Sequence, residues 1–342
     1  MDESRTLLAV DDLSVAIRTR EGLLRAVDGV GFEVAAGECL GIVGESGSGK
    51  TQTALAMLGL LPPNAKARGS IRFDGVEIVG ASARTLNRIR GAQIGLVFQD
   101  PKTSLNPHLT IGVQMAEIAE RHLGMSRTEA LQQSAQMLDR VRLAGAANAL
   151  TSYPHEFSGG MRSRIAIAMM LVCKPRLLIA DEPTSALDVT IQAQILALLG
   201  ELQRELGLGV ILISHDLGVI AELCQRTLVM YAGRIVESGP TGVLLSRARH
   251  PYSRALFASR LRVDAQPRSL LPAIPGQPPS IADREAGCPF HSRCAQALDR
   301  CMTERPHLRV TVSGTASACH LEDPARPAPA SEITSKTVGK PL

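Results

Sequence analysis

Gly44-Glu45-Ser46-Gly47-Ser48-Gly49-Lys50-Thr51 decides how the rest of the chain reads. Two glycines flanking four residues, then Lys and a hydroxyl side chain, is the spacing of a phosphate-binding loop. The apolar run Leu40 to Val43 ahead of it has strand character. Thr51 to Leu61 behind it, rich in Ala, Leu and Met, reads as a helix. The glycines let backbone N–H groups turn inward around phosphate oxygens, and the helix N-terminus adds a favourable dipole. In such a loop Lys50 reaches the β- and γ-phosphates and Thr51 ligates Mg²⁺. An ordinary glycine-rich turn would need neither the strand nor the helix.

Further apolar runs read as strands buried on both faces: Ile94 to Phe98, Leu177 to Ala180, Val210 to Ile213 and Thr227 to Met230. From Asp188 onward Ile191, Ile195, Leu198, Leu199 and Leu202 recur on one helical face. Strands alternating with helices predict an α/β fold, a P-loop domain with a mainly parallel sheet covered by helices. Thr110 to Val172, rich in Ala, Leu, Met, Gln and Arg without a convincing strand, reads as a helical insertion. After Ser246 the composition shifts: Pro267, Pro272, Pro275, Pro278 and Pro279 mark an extended linker, and from Pro324 a Pro-, Ala- and Ser-rich tail is expected to be disordered.

At 342 residues the chain accommodates one large domain and a small one. Aromatics make up 3% and Trp is absent, which argues against a base-stacking surface; the net charge of +4 is spread without a basic run, so no nucleic-acid footprint is indicated. The longest apolar stretches, such as Ile165 to Cys173, fall far short of the roughly 20 residues of a spanning helix. The N-terminus begins with Asp2, Glu3 and Ser4 and lacks a signal-segment pattern. A cytoplasmic location is therefore expected, where structural disulfides are rare. Cys39, Cys173 and Cys224 lie among apolar residues and read as small buried hydrophobes.

Two more motifs carry chemistry. Leu177-Leu178-Ile179-Ala180-Asp181-Glu182 is a buried strand delivering two acids at its C-terminal end, where open α/β sheets bind ligands. Asp181 would hold Mg²⁺ through water and Glu182 would polarise the attacking water. Alone the pair could be helix caps; behind a phosphate loop it becomes specific. Ser158-Gly159-Gly160-Met161 places an N-cap serine and two glycines at the start of a helix running to Cys173. That is either a second phosphate-binding device or a plain capping turn.

The order of phosphate loop, Gln99, Ser158-Gly159-Gly160, Asp181-Glu182, Ser185-Ala186-Leu187-Asp188 and His215 resembles the nucleotide-binding domain of ABC ATPases over residues 1–245, with its helical subdomain at about 102–174. The resemblance implies ATP and Mg²⁺ held by Gly44, Glu45, Ser46, Gly47, Ser48, Gly49, Lys50, Thr51, Gln99 and Asp181. Gln99 would also link the γ-phosphate side to the membrane partner, and His215 would sense the γ-phosphate beside Glu182. Ser158, Gly159 and Gly160 would complete the ATP site of a second subunit. Phe98-Gln99-Asp100-Pro101, Thr103-Ser104-Leu105-Asn106-Pro107, Phe157 before the Ser158 motif, Met161-Arg162, His250-Pro251-Tyr252 and Ile274-Pro275-Gly276 are similar to the dipeptide/oligopeptide importer branch, whose C-terminal extension would occupy 246–323, before a tail at 324–342. Two residues depart from the family. Ser163 stands where Gln is usual, and Ile17 lies near the place of the aromatic ring that stacks adenine.

Cys288, Cys294, Cys301 and Cys319 cluster within 32 positions, spaced for metal or cluster ligation in a reducing compartment but without the paired short gaps of zinc ribbons. Four thiolates suit a [4Fe–4S] cluster, which the importer resemblance favours; zinc and no metal remain as alternatives. The resemblance further implies a related, non-identical second ATPase subunit, two transmembrane permeases and an extracytoplasmic solute-binding protein, at the cytoplasmic face of the inner membrane, importing peptides or a related solute such as nickel chelates. The rival reading is an ABC-type ATPase acting on ribosomes or DNA without a membrane partner. Such proteins often carry two ATPase domains and basic arms, whereas this sequence has one phosphate loop and no basic arm.

Overall fold

The strands, in chain order, are β1 (Thr6–Thr19), β2 (Gly22–Ala35), β3 (Cys39–Val43), β4 (Ala65–Phe73), β5 (Val76–Glu77), β6 (Ile94–Val97), β7 (Leu177–Asp181), β8 (Gly209–Ile213), β9 (Arg226–Tyr231), β10 (Arg234–Pro240), β11 (Arg309–Val310) and β12 (Ala316–Ser317). The helices are α1 (Lys50–Met57), α2 (Ala83–Ile89), α3 (Ile111–Leu123), α4 (Arg127–Arg140), α5 (Ala146–Ala149), α6 (Gly159–Leu171), α7 (Val189–Leu206), α8 (Leu217–Leu223), α9 (Thr241–Arg247), α10 (Pro251–Ala258) and α11 (Arg300–Thr303). This computed structural model describes residues 6–20, 22–98, 105–184, 187–258, 274–279, 286–310 and 314–323. Gln99, Thr103, Ser104, Ser185, Ala186, Pro267, Pro272 and the 324–342 tail lie outside the described residues.

The five apolar runs of the sequence form the parallel strands β9-β3-β8-β7-β6, neighbours in that order. Each residue of β3, β7 and β8 is buried. Successive side chains of a strand point to opposite faces, and β3 divides accordingly. Leu40 and Ile42 join a core shared with Leu8, Leu13, Ile71 and Phe73 of an antiparallel sheet, β2-β1-β4-β5. Cys39 and Val43 join the core formed with the helices. Cys39, Cys173 and Cys224 are all buried, with the Cys39 and Cys224 sulfurs 3.4 Å apart as free thiols.

The antiparallel sheet carries no regular alternation in the sequence. β1 pairs with β2 and β4 through repeated register shifts around Asp11, Asp12 and Leu13, and Asp12 adopts φ +45°. Bulges interrupt the two-residue alternation that would announce a half-buried strand. The helical insertion matches its reading: between 105 and 174 the described residues hold α3–α6 and no strand. Ser126 opens α4 with a reciprocal capping box to Glu129.

The Cys-bearing region attaches to the nucleotide sheet itself. β12 pairs antiparallel with β10 (Glu237↔Ser317, Ser238↔Ala316), and β11 pairs with β12 at the sheet's end. A buried hub supports this edge. Glu237, fully buried, accepts from the Arg249 and His250 amides at 2.7 and 3.1 Å, and its carboxyl pKa is raised by that burial. His250 Nδ1 accepts from the Tyr252 amide at 3.1 Å, and burial pushes the imidazole down to about 3. Among the described residues, no helix is long and apolar enough to cross a membrane.

His250 therefore links stability to pH. The unfolded chain protonates it near its ordinary value of 6.5, whereas the folded chain resists until about 3. Its contribution is complete above about pH 6.5 and declines as pH falls toward 3, by up to roughly 1.4 kcal/mol per pH unit. Urea denaturation at pH 7 and pH 5 should show a larger loss for the wild type than for His250→Asn. An equal loss would contradict a neutral, buried imidazole.

Candidate functional site

β3 feeds directly into the 44–49 loop, and α1 begins at Lys50. Gly44 has φ +155° and Gly49 φ +102°. A Cβ on Gly44 would lie 2.2 Å from the Met230 carbonyl oxygen, and one on Gly49 2.6 Å from that of Ala26. These two positions admit only glycine because the loop presses against neighbouring backbone. Lys50 Nζ donates to the carbonyls of Gly44 (2.7 Å) and Glu45 (3.0 Å) and to Ser48 Oγ (3.4 Å). Burial pulls its pKa down, while Glu182, Asp181 and Glu45 act in the opposite sense. The loop is tied from outside as well. The Glu45 amide donates to Tyr252 Oη at 2.8 Å, and the Gly233 amide donates to the Ser48 carbonyl at 2.8 Å.

Asp181 ends β7 opposite Ile213 of β8 and is buried. Burial raises its pKa and Glu182 adds to the rise; a hydrogen bond with Thr51 and the charge of Lys50 oppose it. Thr51 and Asp181 thus meet as two oxygen donors beside the phosphate loop, a fit for a divalent cation that would complete its shell with water and phosphate. Glu182 takes φ +48°, a strained conformation for a residue with a side chain, and its amide donates to the Ile213 carbonyl at 2.9 Å. One Glu182 carboxylate oxygen lies 3.1 Å from His215 Nδ1; the Glu182 side chain is 15% exposed and that of His215 64%. The ends of β3, β7 and β8 thus bring Lys50, Thr51, Asp181, Glu182 and His215 together.

Ser158 caps α6, its hydroxyl accepting from the Met161 amide at 3.3 Å. Gly160 packs so tightly that a Cβ would meet Ile191 Cγ2 at 2.6 Å, and Gly159 faces Leu187. Ser163, in place of a longer amide, turns its hydroxyl back to the Gly159 carbonyl of its own helix at 3.2 Å. Asp188 caps α7 through the Ile191 amide. Ile17 lies in β1 opposite Leu24 and Ala65, an aliphatic surface. Gln99 lies outside the described residues.

Nothing in the sequence points to Arg293, which reaches Glu45 from 248 positions away. Lying between two cysteines, it carried no periodicity or motif of its own. Tyr252 has no sequence signal beyond its place in the His250-Pro251-Tyr252 resemblance, yet its hydroxyl holds the phosphate loop through the Glu45 amide.

The four clustered cysteines are free thiols; Cys288 and Cys301 are buried, and Cys294 and Cys319 partly so. Burial raises the Cys288 thiol to about 11 and Cys319 to about 12 and also lifts Cys294, with the neighbouring cysteines adding to each rise. The thiols therefore share one electrostatic neighbourhood. Yet among the described residues no three His, Cys, Asp or Glu side chains converge closely enough to hold one metal ion.

Comparison with known proteins agrees with this geometry. The ABC transporter family pattern matches residues 27–185, and the pattern for the oligopeptide/dipeptide transporter C-terminal region matches 236–301. The chain is 48% identical over 316 residues to the oligopeptide transport ATP-binding protein OppD of Salmonella typhimurium, covering 92% of this chain and 94% of that one. It is 43% identical over 324 residues to the dipeptide transport ATP-binding protein DppD of Escherichia coli, covering 94% and 99%. Its fold is similar to a dimeric bacterial ABC transporter cassette, with a TM-score of 0.62 at 26% identity over 68% of this chain and 98% of the other. It is also similar to such a cassette bound to ADP and phosphate after hydrolysis, with a TM-score of 0.59 at 27% identity, again over 68% and 98%. The chain belongs to the ATP-binding proteins of ABC transporters, in the branch bearing the oligopeptide/dipeptide transporter C-terminal region.

Proposed function

We propose that this protein hydrolyses ATP to drive the import of oligopeptides or dipeptides. The carrying observation is the convergence of Lys50, Thr51, Asp181, Glu182 and His215 at the strand ends. The loop amides and Lys50 bind the phosphates, Lys50 exchanging its carbonyl partners for phosphate oxygens. Mg²⁺, held by Thr51, Asp181 and Gln99, supplies charge neutralisation when bound. Glu182 accepts a proton from the attacking water, and His215, whose Nδ1 lies 3.1 Å from a Glu182 carboxylate oxygen, reads the γ-phosphate. The family and the transport names of its relatives favour this reading over an ATPase working on ribosomes or DNA.

Ser158, Gly159 and Gly160 serve the ATP bound to a second, related ATPase subunit. The cap of α6 is exposed, and its N-terminal amides with the Ser158 hydroxyl form an anion-binding end of a thirteen-residue helix. Closure of the two ATPases drives two transmembrane permeases, supplied by an extracytoplasmic binding protein, with this subunit at the cytoplasmic face of the inner membrane. Residues 1–245 are the motor, with its helical subdomain at about 102–174, and 246–323 the importer extension.

Cys288, Cys294, Cys301 and Cys319 hold a [4Fe–4S] cluster. What supports the assignment is the donor set: Cys288, Cys294 and Cys319 are each raised by burial and by neighbouring cysteines, so the thiols lie in one electrostatic neighbourhood. Leu298 N–H, which donates to Cys301 Sγ at 3.4 Å, is a hydrogen bond of the kind that supports such thiolates. The cluster's part is structural.

Lys50→Ala should weaken both ATP binding and turnover, whereas Glu182→Gln should bind ATP normally and lose roughly 10²–10⁴ in turnover. Nucleotide titration and phosphate release on both variants check this; near-normal turnover in Glu182→Gln would remove it as the base. Ser158→Arg should bind ATP normally as an isolated subunit and abolish hydrolysis in the assembled transporter. Full activity of that complex would contradict the interfacial role. Protein purified without oxygen should be brown, with about four irons per chain by metal analysis. A colourless protein with one zinc would overturn the cluster assignment.

A further inference from the structure

Glu45 is the second residue of the phosphate loop, and its carboxylate is gripped from the far end of the chain. Arg293 NH1 donates to Glu45 Oε2 at 2.7 Å and NH2 to Glu45 Oε1 at 3.1 Å, a two-pronged pair. The other guanidinium donors are also used. Nε donates to the Pro275 carbonyl at 2.9 Å, NH1 to Tyr231 Oη at 3.2 Å and NH2 to the Ile274 carbonyl at 3.4 Å. The Arg293 side chain is 4% exposed. It rises from the turn between Cys288 and Cys294, beside the packed rings of Tyr231, Tyr252 and Phe290.

Glu45 is consequently fixed at three points. Its side chain belongs to Arg293, its amide to Tyr252 Oη, and its carbonyl accepts from Lys50 Nζ. Two of these partners come from the C-terminal extension, and the third is the lysine that meets the phosphates. Pro278 and Pro279, in the segment whose carbonyls Arg293 holds, line a small recess together with Glu45, Ser46, Gly47 and Ser48. With Arg293 enclosed and the Glu45 side chain 25% exposed, this ion pair carries a desolvation cost on the arginine side that an apolar contact of similar volume would not, so stability alone is a weak reason for it. Its distinctive property is orientation: a planar fork on a carboxylate fixes direction as well as distance.

We propose that Arg293 is a positioning residue for the ATP site, setting the shape of the phosphate loop through Glu45 and so making nucleotide binding depend on the Cys-bearing extension. The proposal rests on the reading of residues 44–51 as the ATP loop. By linkage the dependence runs both ways: MgATP bound at the loop steadies the 286–301 segment to the extent that the segment steadies the loop.

The test uses the full chain in the assembled transporter, with MgATP as the probe. Arg293→Lys keeps the charge but loses the fork, and Glu45→Gln keeps the shape but loses the carboxylate. Each should raise KM for ATP about five- to tenfold with kcat within about twofold, and the double variant should be no worse than the worse single one. Hydrogen exchange adds a readout that simple packing would not move. MgATP should slow exchange across 286–301 in the wild type and lose that effect in Glu45→Gln, which leaves the extension's own residues untouched. A KM within twofold of wild type in both single variants, additive effects in the double, or undiminished protection of 286–301 in Glu45→Gln would each overturn the proposal. Failure of the underlying loop assignment would look different: Lys50→Ala would then bind MgATP as well as the wild type.

Discussion

A phosphate-binding loop depends on a contradiction being managed. Its backbone N–H groups must be left for the ligand, yet unpaired backbone groups disfavour any one compact shape. The loop here is shaped from outside instead. β3 fixes its start, Gly44 and Gly49 press against the carbonyls of Met230 and Ala26, and Tyr252 takes the Glu45 amide. Lys50 closes the loop through the carbonyls of Gly44 and Glu45. The remaining site is arranged around that held loop.

The parallel sheet supplies the arrangement. β3, β7 and β8 run in the same direction with every residue buried, so their C-terminal ends open on the same side. Binding at this edge is the general behaviour of open α/β sheets. It sets Asp181 against Thr51 and Glu182 against His215, with Lys50 near enough for its charge to bear on both acids. The strained backbone of Glu182 is tied to the Ile213 carbonyl, and its carboxylate meets His215. The candidate site for ATP thus follows from three apolar strands and the residues that end them.

How much of this could be read from the sequence depended on the range of the signal. Parallel strands buried on both faces announce themselves as continuous apolar runs, and all five were legible. The Ser158 cap was legible too, because capping is local; the Asp188 cap of α7 emerged only in the structure. The antiparallel sheet was hidden by the bulges around Asp11 and Asp12, which break its alternation. Arg293 was hidden for a different reason: a single arginine between cysteines carries no pattern, and its partner is a loop residue near the other end of the chain. The same holds for the sheet edge built by β11 and β12, two-residue strands too short to show a period. What the sequence presented as an appended Cys-rich module is bonded into the motor through Ser317, Tyr252 and Arg293.

The C-terminal extension is therefore part of the ATP site's scaffold, and the loop is held in shape before nucleotide arrives. Hydrogen–deuterium exchange at the Glu45 amide, in the full-length wild-type protein without nucleotide, addresses this most directly. Donation to the buried hydroxyl of Tyr252 predicts slow exchange, comparable to the amides of β3, before any ATP is added. Exchange at the rate of an unstructured peptide, slowing only when MgATP binds, would contradict it.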